Sequence, residues 1–83
     1  MMTIAYHLYS SEGCHLCEQA LALFKQVANI NLLQVIDIVD DQLSETKNLV
    51  ELYGIYIPVL ERLSDNEKLF WPFEAEQIKG FID

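Results

Sequence analysis

Hydrophobic and polar residues follow two different periods along this chain, and each switch between them marks an element. From Thr3 to Tyr9, Ile4, Tyr6, Leu8 and Tyr9 are set among Thr3 and His7, a β-rich run ended by the polar loop Ser10-Ser11-Glu12-Gly13. Leu16, Ala20, Leu23, Phe24 and Val27 then recur at helical spacing, which predicts an amphipathic helix from Cys14 to about Ala28. Asn29-Ile30-Asn31 breaks it. Leu32 to Val39 is nearly all apolar, interrupted by Gln34 and Asp37, and predicts a strand buried on both faces. Asp40-Asp41 supplies acidic capping for a second helix through Leu43, Leu49, Val50 and Tyr53, stopped by Gly54. Ile55 to Leu60 predicts a third strand with Pro58 inside it. Ser64-Asp65-Asn66 is a turn, Lys68 to Trp71 a short fourth strand, and Phe73 to Ile82 a closing helix.

The order β-α-β-α-β-β-α places the chain in the α/β class. The first two strands, joined through a helix, are expected to be parallel with a right-handed crossover, and the last two to form an antiparallel hairpin. The chain of 83 residues, 52% of them apolar, is expected to be one small domain over residues 1–83 with one core. Five basic residues, Lys25, Lys47, Arg62, Lys68 and Lys79, are scattered against 13 acidic ones, for a formal charge of −8. Without a basic patch to neutralise phosphates, neither nucleic acid nor an anionic membrane surface is expected as a partner. The acidity either favours a partner with a basic docking face or is simply a solvated surface. The start Met1-Met2-Thr3-Ile4 lacks a basic segment followed by a long apolar run, and no stretch approaches the length of a membrane span. A cytoplasmic, monomeric protein is expected, in a compartment where thiols are kept mostly reduced.

Cys14 and Cys17, the two cysteines of the chain, change the picture most. They fall where the β-like run gives way to the helical pattern. A strand that turns into a helix through Cys-x-x-Cys aims the first sulfur at the helix N-terminus, where free N–H groups and the helix dipole favour a thiolate. The second sulfur, one turn further in, is placed to attack a mixed disulfide formed on the first. This is the geometry of a dithiol redox site.

The element order, with Cys-x-x-Cys opening the first helix and Ile57-Pro58-Val59 about forty residues on, resembles the thioredoxin fold in its minimal, glutaredoxin-like form. That form has a four-stranded mixed sheet flanked by three helices. The string Gly13-Cys14-His15-Leu16-Cys17-Glu18, with Trp71-Pro72-Phe73 before the last helix, resembles the small glutaredoxin-like proteins whose motif is Cys-His-Leu-Cys. The resemblance implies a thiol–disulfide oxidoreductase or electron carrier in cell redox homeostasis, with Cys14 the nucleophile and Cys17 the resolving thiol. It also implies a cis-proline at Pro58 facing the cysteines, with the main chain of Ile57 pairing with a substrate peptide like an added strand. Tyr56 and Trp71 are the aromatic candidates for recognising a disulfide-containing protein or small molecule. An imidazolium at His15 would stabilise a neighbouring thiolate, while Glu12 and Glu18 oppose it, and the two effects are comparable. No prosthetic group is implied, because the dithiol itself carries two electrons.

The chain departs from the glutathione-using pattern in one place. Those proteins carry Gly-Gly and an acidic residue after the fourth strand, where this chain has Trp71-Pro72-Phe73-Glu74. Trp and Pro do not permit the close backbone approach that glycines do, which argues against efficient use of glutathione as co-substrate. Two other readings of the cysteines stand beside the redox one. Cys-x-x-Cys is half a zinc site, and a metal or iron–sulfur centre needs two chains to complete its ligands. A redox-silent docking module using the acidic face is the other.

Overall fold

The computed structural model describes residues 3–39 and 53–82. Four strands, β1 (Tyr6–Ser10), β2 (Leu33–Asp37), β3 (Val59–Arg62) and β4 (Glu67–Phe70), form one mixed sheet in the order β2-β1-β3-β4. The described helices are α1 (His15–Val27) and α2 (Ala75–Ile82), and a 3-10 turn over Ile30–Leu32 leads into β2. The second helix expected from Asp40 onward lies outside the described residues, apart from its end at Tyr53.

β1 runs parallel to β2, from Tyr6 opposite Leu33 to Ser10 opposite Asp37. It runs antiparallel to β3, from Tyr6 opposite Arg62 to Tyr9 opposite Val59. β3 and β4 form the expected antiparallel hairpin, and Asn66 in its turn takes the left-handed conformation with φ 60°.

Alternation along the strands divides the core between the two faces of the sheet. On one face, Tyr6, Leu8, Leu33 and Leu60 meet Ala20 and Phe24 of α1 and Phe73 and Ile78 from the α2 region. Cys17, Ala20 and Phe24 recur at spacings of three and four, and these are the buried positions of α1. Phe24 meets Tyr6 edge-to-face with ring centroids 5.8 Å apart. On the opposite face, Tyr9, Ile36, Ile38 and Val59 form a second cluster, joined by Tyr53 and Ile57. Arg62 fixes the end of α2. Its guanidinium donates to the Phe81 carbonyl at 2.6 Å and lies 4.8 Å from the centre of the Phe81 ring, satisfying a carbonyl that the helix leaves free.

Two sequence expectations are corrected here. β2 is an edge strand rather than one buried on both faces: Leu33 and Ile36 are buried, but Gln34 and Val35 are exposed, because nothing in the sheet lies beyond it. The third strand begins at Val59, not Ile55, so Pro58 precedes the strand instead of interrupting it. The N–H groups of Tyr56 and Ile57 both donate to the Tyr53 carbonyl, at 2.8 and 3.0 Å. Residues bonded back onto their own turn cannot feed a ladder. The first strand and the closing helix also start later than predicted, at Tyr6 and Ala75.

Candidate dithiol site

The site is built where β1 ends. Ser10 to Gly13 turn the chain out of the sheet; Gly13 takes φ +78°, a region open to glycine, and the Cys14 N–H donates to the Ser11 carbonyl at 3.2 Å. Cys14 then stands as the N-cap of α1 with extended backbone angles (φ −84°, ψ 104°). Its Sγ accepts the Cys17 N–H at 3.1 Å, taking the place of the hydroxyl or carboxylate oxygen that caps most helices. The sulfur of Cys14 therefore sits on a backbone donor and on the positive end of the helix dipole, both of which favour its anionic form when reduced. The two sulfurs are joined as a disulfide, with Cα atoms 5.2 Å apart. Cys17 is 4% exposed, whereas Cys14 is partly open to solvent.

Both cysteines line a small cleft of about 110 Å³, with Ser10, Gly13, Glu18 and Val35 among its walls. The His15 side chain is 92% exposed, with Nδ1 3.9 Å from a Glu18 carboxylate oxygen. Leu16, the other residue between the cysteines, is also exposed.

The remaining sequence candidates come to the same end of the sheet. The pairing of Tyr9 with Val59 sets Pro58 beside the start of the loop that carries Cys14. Pro58 is fully buried and its bond to Ile57 is cis, as expected. Ile57 packs on the Tyr9 cluster, and its N–H is occupied by the Tyr53 carbonyl. Tyr56 is half exposed and meets Phe70 edge-to-face at 5.4 Å. The Trp71 N–H donates to the Pro58 carbonyl at 3.3 Å, which holds Trp71 at this end of the sheet. Its ring is turned elsewhere: it packs edge-to-face on Phe73 at 5.0 Å and lines a separate cleft of about 400 Å³ with Gln19, Ala22 and Leu23 of α1. The bond between Trp71 and Pro72 is also cis, which the sequence reading did not anticipate.

Sequence reasoning missed two features. One is Ile55, 87% exposed next to Tyr56 in the chain. The other is a polar cluster on the sheet face away from α1. Glu61, 6% exposed, accepts from the Tyr9 hydroxyl at 2.6 Å and from Asn66 Nδ2 at 3.1 Å, with Lys68 Nζ at 3.5 Å and His7 Nδ1 at 3.9 Å. Burial alone would raise the Glu61 carboxyl, but the Tyr9, Asn66 and Lys68 donors outweigh it and hold the group below its ordinary value. The Tyr9 phenol is pushed up, by burial first and by Glu61 second, so its proton stays on the hydroxyl. A glutamate in the apolar run Val59-Leu60-Glu61 was the available signal. Among the described residues, no group of three or more His, Cys, Asp or Glu side chains converges to hold a metal ion. None of the described helices is long and apolar enough to cross a membrane.

A parallel βαβ unit joined to a β-hairpin, with a dithiol capping the first helix and a cis-proline before the third strand, defines a glutaredoxin-like thioredoxin fold. Residues 6–83 match the glutaredoxin-like domain family DUF836, and the chain belongs to that family. Protein XcR50 from X. campestris, in its X-ray structure, is 32% identical, with a TM-score of 0.78 over 95% of this chain and 96% of that one. Its solution structure gives 31% identity and a TM-score of 0.74, covering 96% of this chain and 94% of that one. Protein Ne2328 from Nitrosomonas europaea is 26% identical, with a TM-score of 0.64 over 98% of this chain and 93% of that one. Comparison with curated proteins gives no match.

Proposed function

We propose that this protein is a cytoplasmic thiol–disulfide oxidoreductase and electron carrier that works through Cys14 and Cys17 without a prosthetic group. The observation that carries the reading is the inequality of the two sulfurs: Cys14 caps α1 and is partly open, and Cys17 is buried one turn behind it. In the reducing direction the Cys14 thiolate attacks a substrate disulfide, forming a mixed disulfide and releasing one substrate thiolate. Cys17, having lost its proton, attacks the Cys14 sulfur; the second substrate thiolate leaves, and the two electrons of the dithiol have passed to the substrate. The exposed apolar side chains Ile55, Tyr56 and Phe70 are the surface we assign to contacting the substrate around its disulfide. Among the described residues the Ile57 carbonyl accepts no backbone hydrogen bond, and it is the main-chain group we assign to docking a substrate strand, since the Ile57 N–H is committed to Tyr53. Glutathione is not the favoured co-substrate, because Trp71 and Pro72 stand where glutathione users carry glycines.

Trapping tests the assignment. Cys17→Ser is expected to accumulate mixed disulfides on Cys14 when the reduced protein meets a disulfide substrate, and Cys14→Ser is not. Equal trapping by both variants overturns the roles. A metal-linked dimer instead predicts zinc or iron in the purified protein in proportion to its dimer content. A redox-silent docking module predicts partner binding that survives replacement of both cysteines by serine.

A further inference from the structure

The charge around the sulfurs is one-sided. The cleft that both cysteines line includes Glu18, and through Ser10, Ser11 and Val35 it is continuous with a second cleft of about 200 Å³ lined by Glu12 and Asp37. Among the described residues, neither cleft has a lysine or arginine in its walls. The described basic side chains are committed elsewhere. Arg62 lies at the far end of the β1–β3 pairing, opposite Tyr6, and donates to both oxygens of Asp65 at 3.0 and 2.7 Å. Lys68 sits against Glu61 on the other face of the sheet. Lys25 and Lys79 occupy the last turns of α1 and α2, and α1 begins at the dithiol. Among the described residues, His15 is the basic side chain between the two cysteines, and its Nδ1 lies 3.9 Å from a Glu18 carboxylate oxygen.

We infer that the Cys14–Cys17 site selects disulfides flanked by positive charge, such as ammonium or guanidinium groups, over anionic disulfides. The inference rests on the redox reading above and names the substrate class of that site. A carboxylate about 10 Å from an incoming unit charge changes its local concentration roughly twofold in water at low salt. Glu12, Glu18 and Asp37 together, attracting a dication and repelling a dianion, separate the two by about tenfold or more before screening.

The test uses the full chain, pre-reduced with dithiothreitol and freed of it, mixed with three symmetrical small disulfides. These are cystamine with two ammonium groups, neutral 2-hydroxyethyl disulfide, and dithiodiglycolate with two carboxylates. Each exchange rate constant is divided by that of dithiothreitol with the same disulfide and salt, which removes the disulfide's intrinsic reactivity. The normalised cystamine-to-dithiodiglycolate ratio is expected to reach about tenfold at ~0.01 M ionic strength and to fall to about one at ~1 M. Glu12→Gln with Glu18→Gln, which removes two of the three carboxylates, is expected to lower the low-salt ratio about fivefold. A ratio of one at low salt, or one that ignores both salt and the double substitution, overturns the charge selection while leaving exchange with the neutral disulfide intact. No exchange with the neutral disulfide overturns the redox reading itself, and this inference with it.

Discussion

Tyr9→Phe perturbs the buried carboxylate of Glu61 while leaving the rest of its surroundings in place. The substitution keeps the ring that stacks on Tyr53 at 4.4 Å and deletes the hydroxyl that donates to Glu61 at 2.6 Å. A hydrogen bond to a charged group contributes about 1.5–3 kcal/mol, and the deletion leaves a buried carboxylate short of one donor. Asn66 and Lys68 remain, so the expected loss is about 2 kcal/mol at neutral pH, or roughly 8–16 °C in Tm for a domain of this size. The loss also has a pH signature. Glu61 is held below its ordinary value of 4.5 in the folded protein, so it contributes stability above that value and loses it as pH falls through the folded pKa. Removing the Tyr9 donor raises the folded pKa. The deficit of the variant is therefore full at neutral pH and shrinks on acidification below 4.5. Urea unfolding of both proteins with the disulfide intact, across this range, measures it. A Tyr9→Phe deficit that is constant with pH, or smaller than about 0.5 kcal/mol at neutral pH, refutes the reasoning. Repeating the substitution on a Glu61→Gln background should cost less, since no charge is then left under-solvated.

Other outcomes are expected elsewhere in the molecule. Phe24→Ala, at a position 1% exposed, removes a core ring and should cost about 3–5 kcal/mol by chemical denaturation, a large share of what a small domain has. Gly13→Ala meets nothing within 4 Å of its new Cβ, so its cost, about 1 kcal/mol, should come from the positive φ alone and appear as lowered stability without a changed core. The Asp65 carboxyl is held down at about 2, first by hydrogen bonds from Arg62 and then by the Glu67 N–H, so carboxyl titration by NMR should find it ionised well below ordinary aspartates. Arg62→Lys, which cannot form the two-pronged contact, should raise that midpoint towards 3.8, with any associated stability present above 3.8 and lost as pH falls.

The dithiol was legible in the sequence because everything that makes it is local: a polar loop, two cysteines one turn apart, and the start of an apolar period. The parallel pairing of β1 with β2 and the β3–β4 hairpin were legible for a similar reason, since short connections leave few ways to pair consecutive strands. What failed needed knowledge of neighbours. Leu32 to Val39 is apolar enough for a central strand, yet β2 is an edge, and hydrophobicity alone does not say which strand lies outermost. Ile55 to Pro58 has the composition of a strand, but the amides of Tyr56 and Ile57 are spent on Tyr53, and Ile55 is left 87% exposed. The Glu61 cluster left only a charge in an apolar run as its sign, because its main donor, Tyr9, is 52 residues away along the chain. The sequence offers Trp71 as a recognition candidate, and the direction of its ring, onto Phe73 and α1, is set by packing that the sequence does not show.

The pairing of β1 with β3 has a consequence for the order in which the molecule comes together. Tyr6 to Asp37 holds one strand–helix–strand unit and Val59 to Phe70 one hairpin, each closed by contacts near in sequence. The seam between Tyr9 and Val59 joins them only after a long loop has been closed, an entropic cost that must be met before the pairing repays it. The thiols belong to the first unit and the Ile57–Pro58 corner to the second. The sulfurs and the corner that faces them are thus carried by separate local units, and the pairing of widest sequence separation in the sheet is what brings them together. A change that loosens the Tyr9–Val59 seam would leave the dithiol capping its helix and act first on the surface beside it.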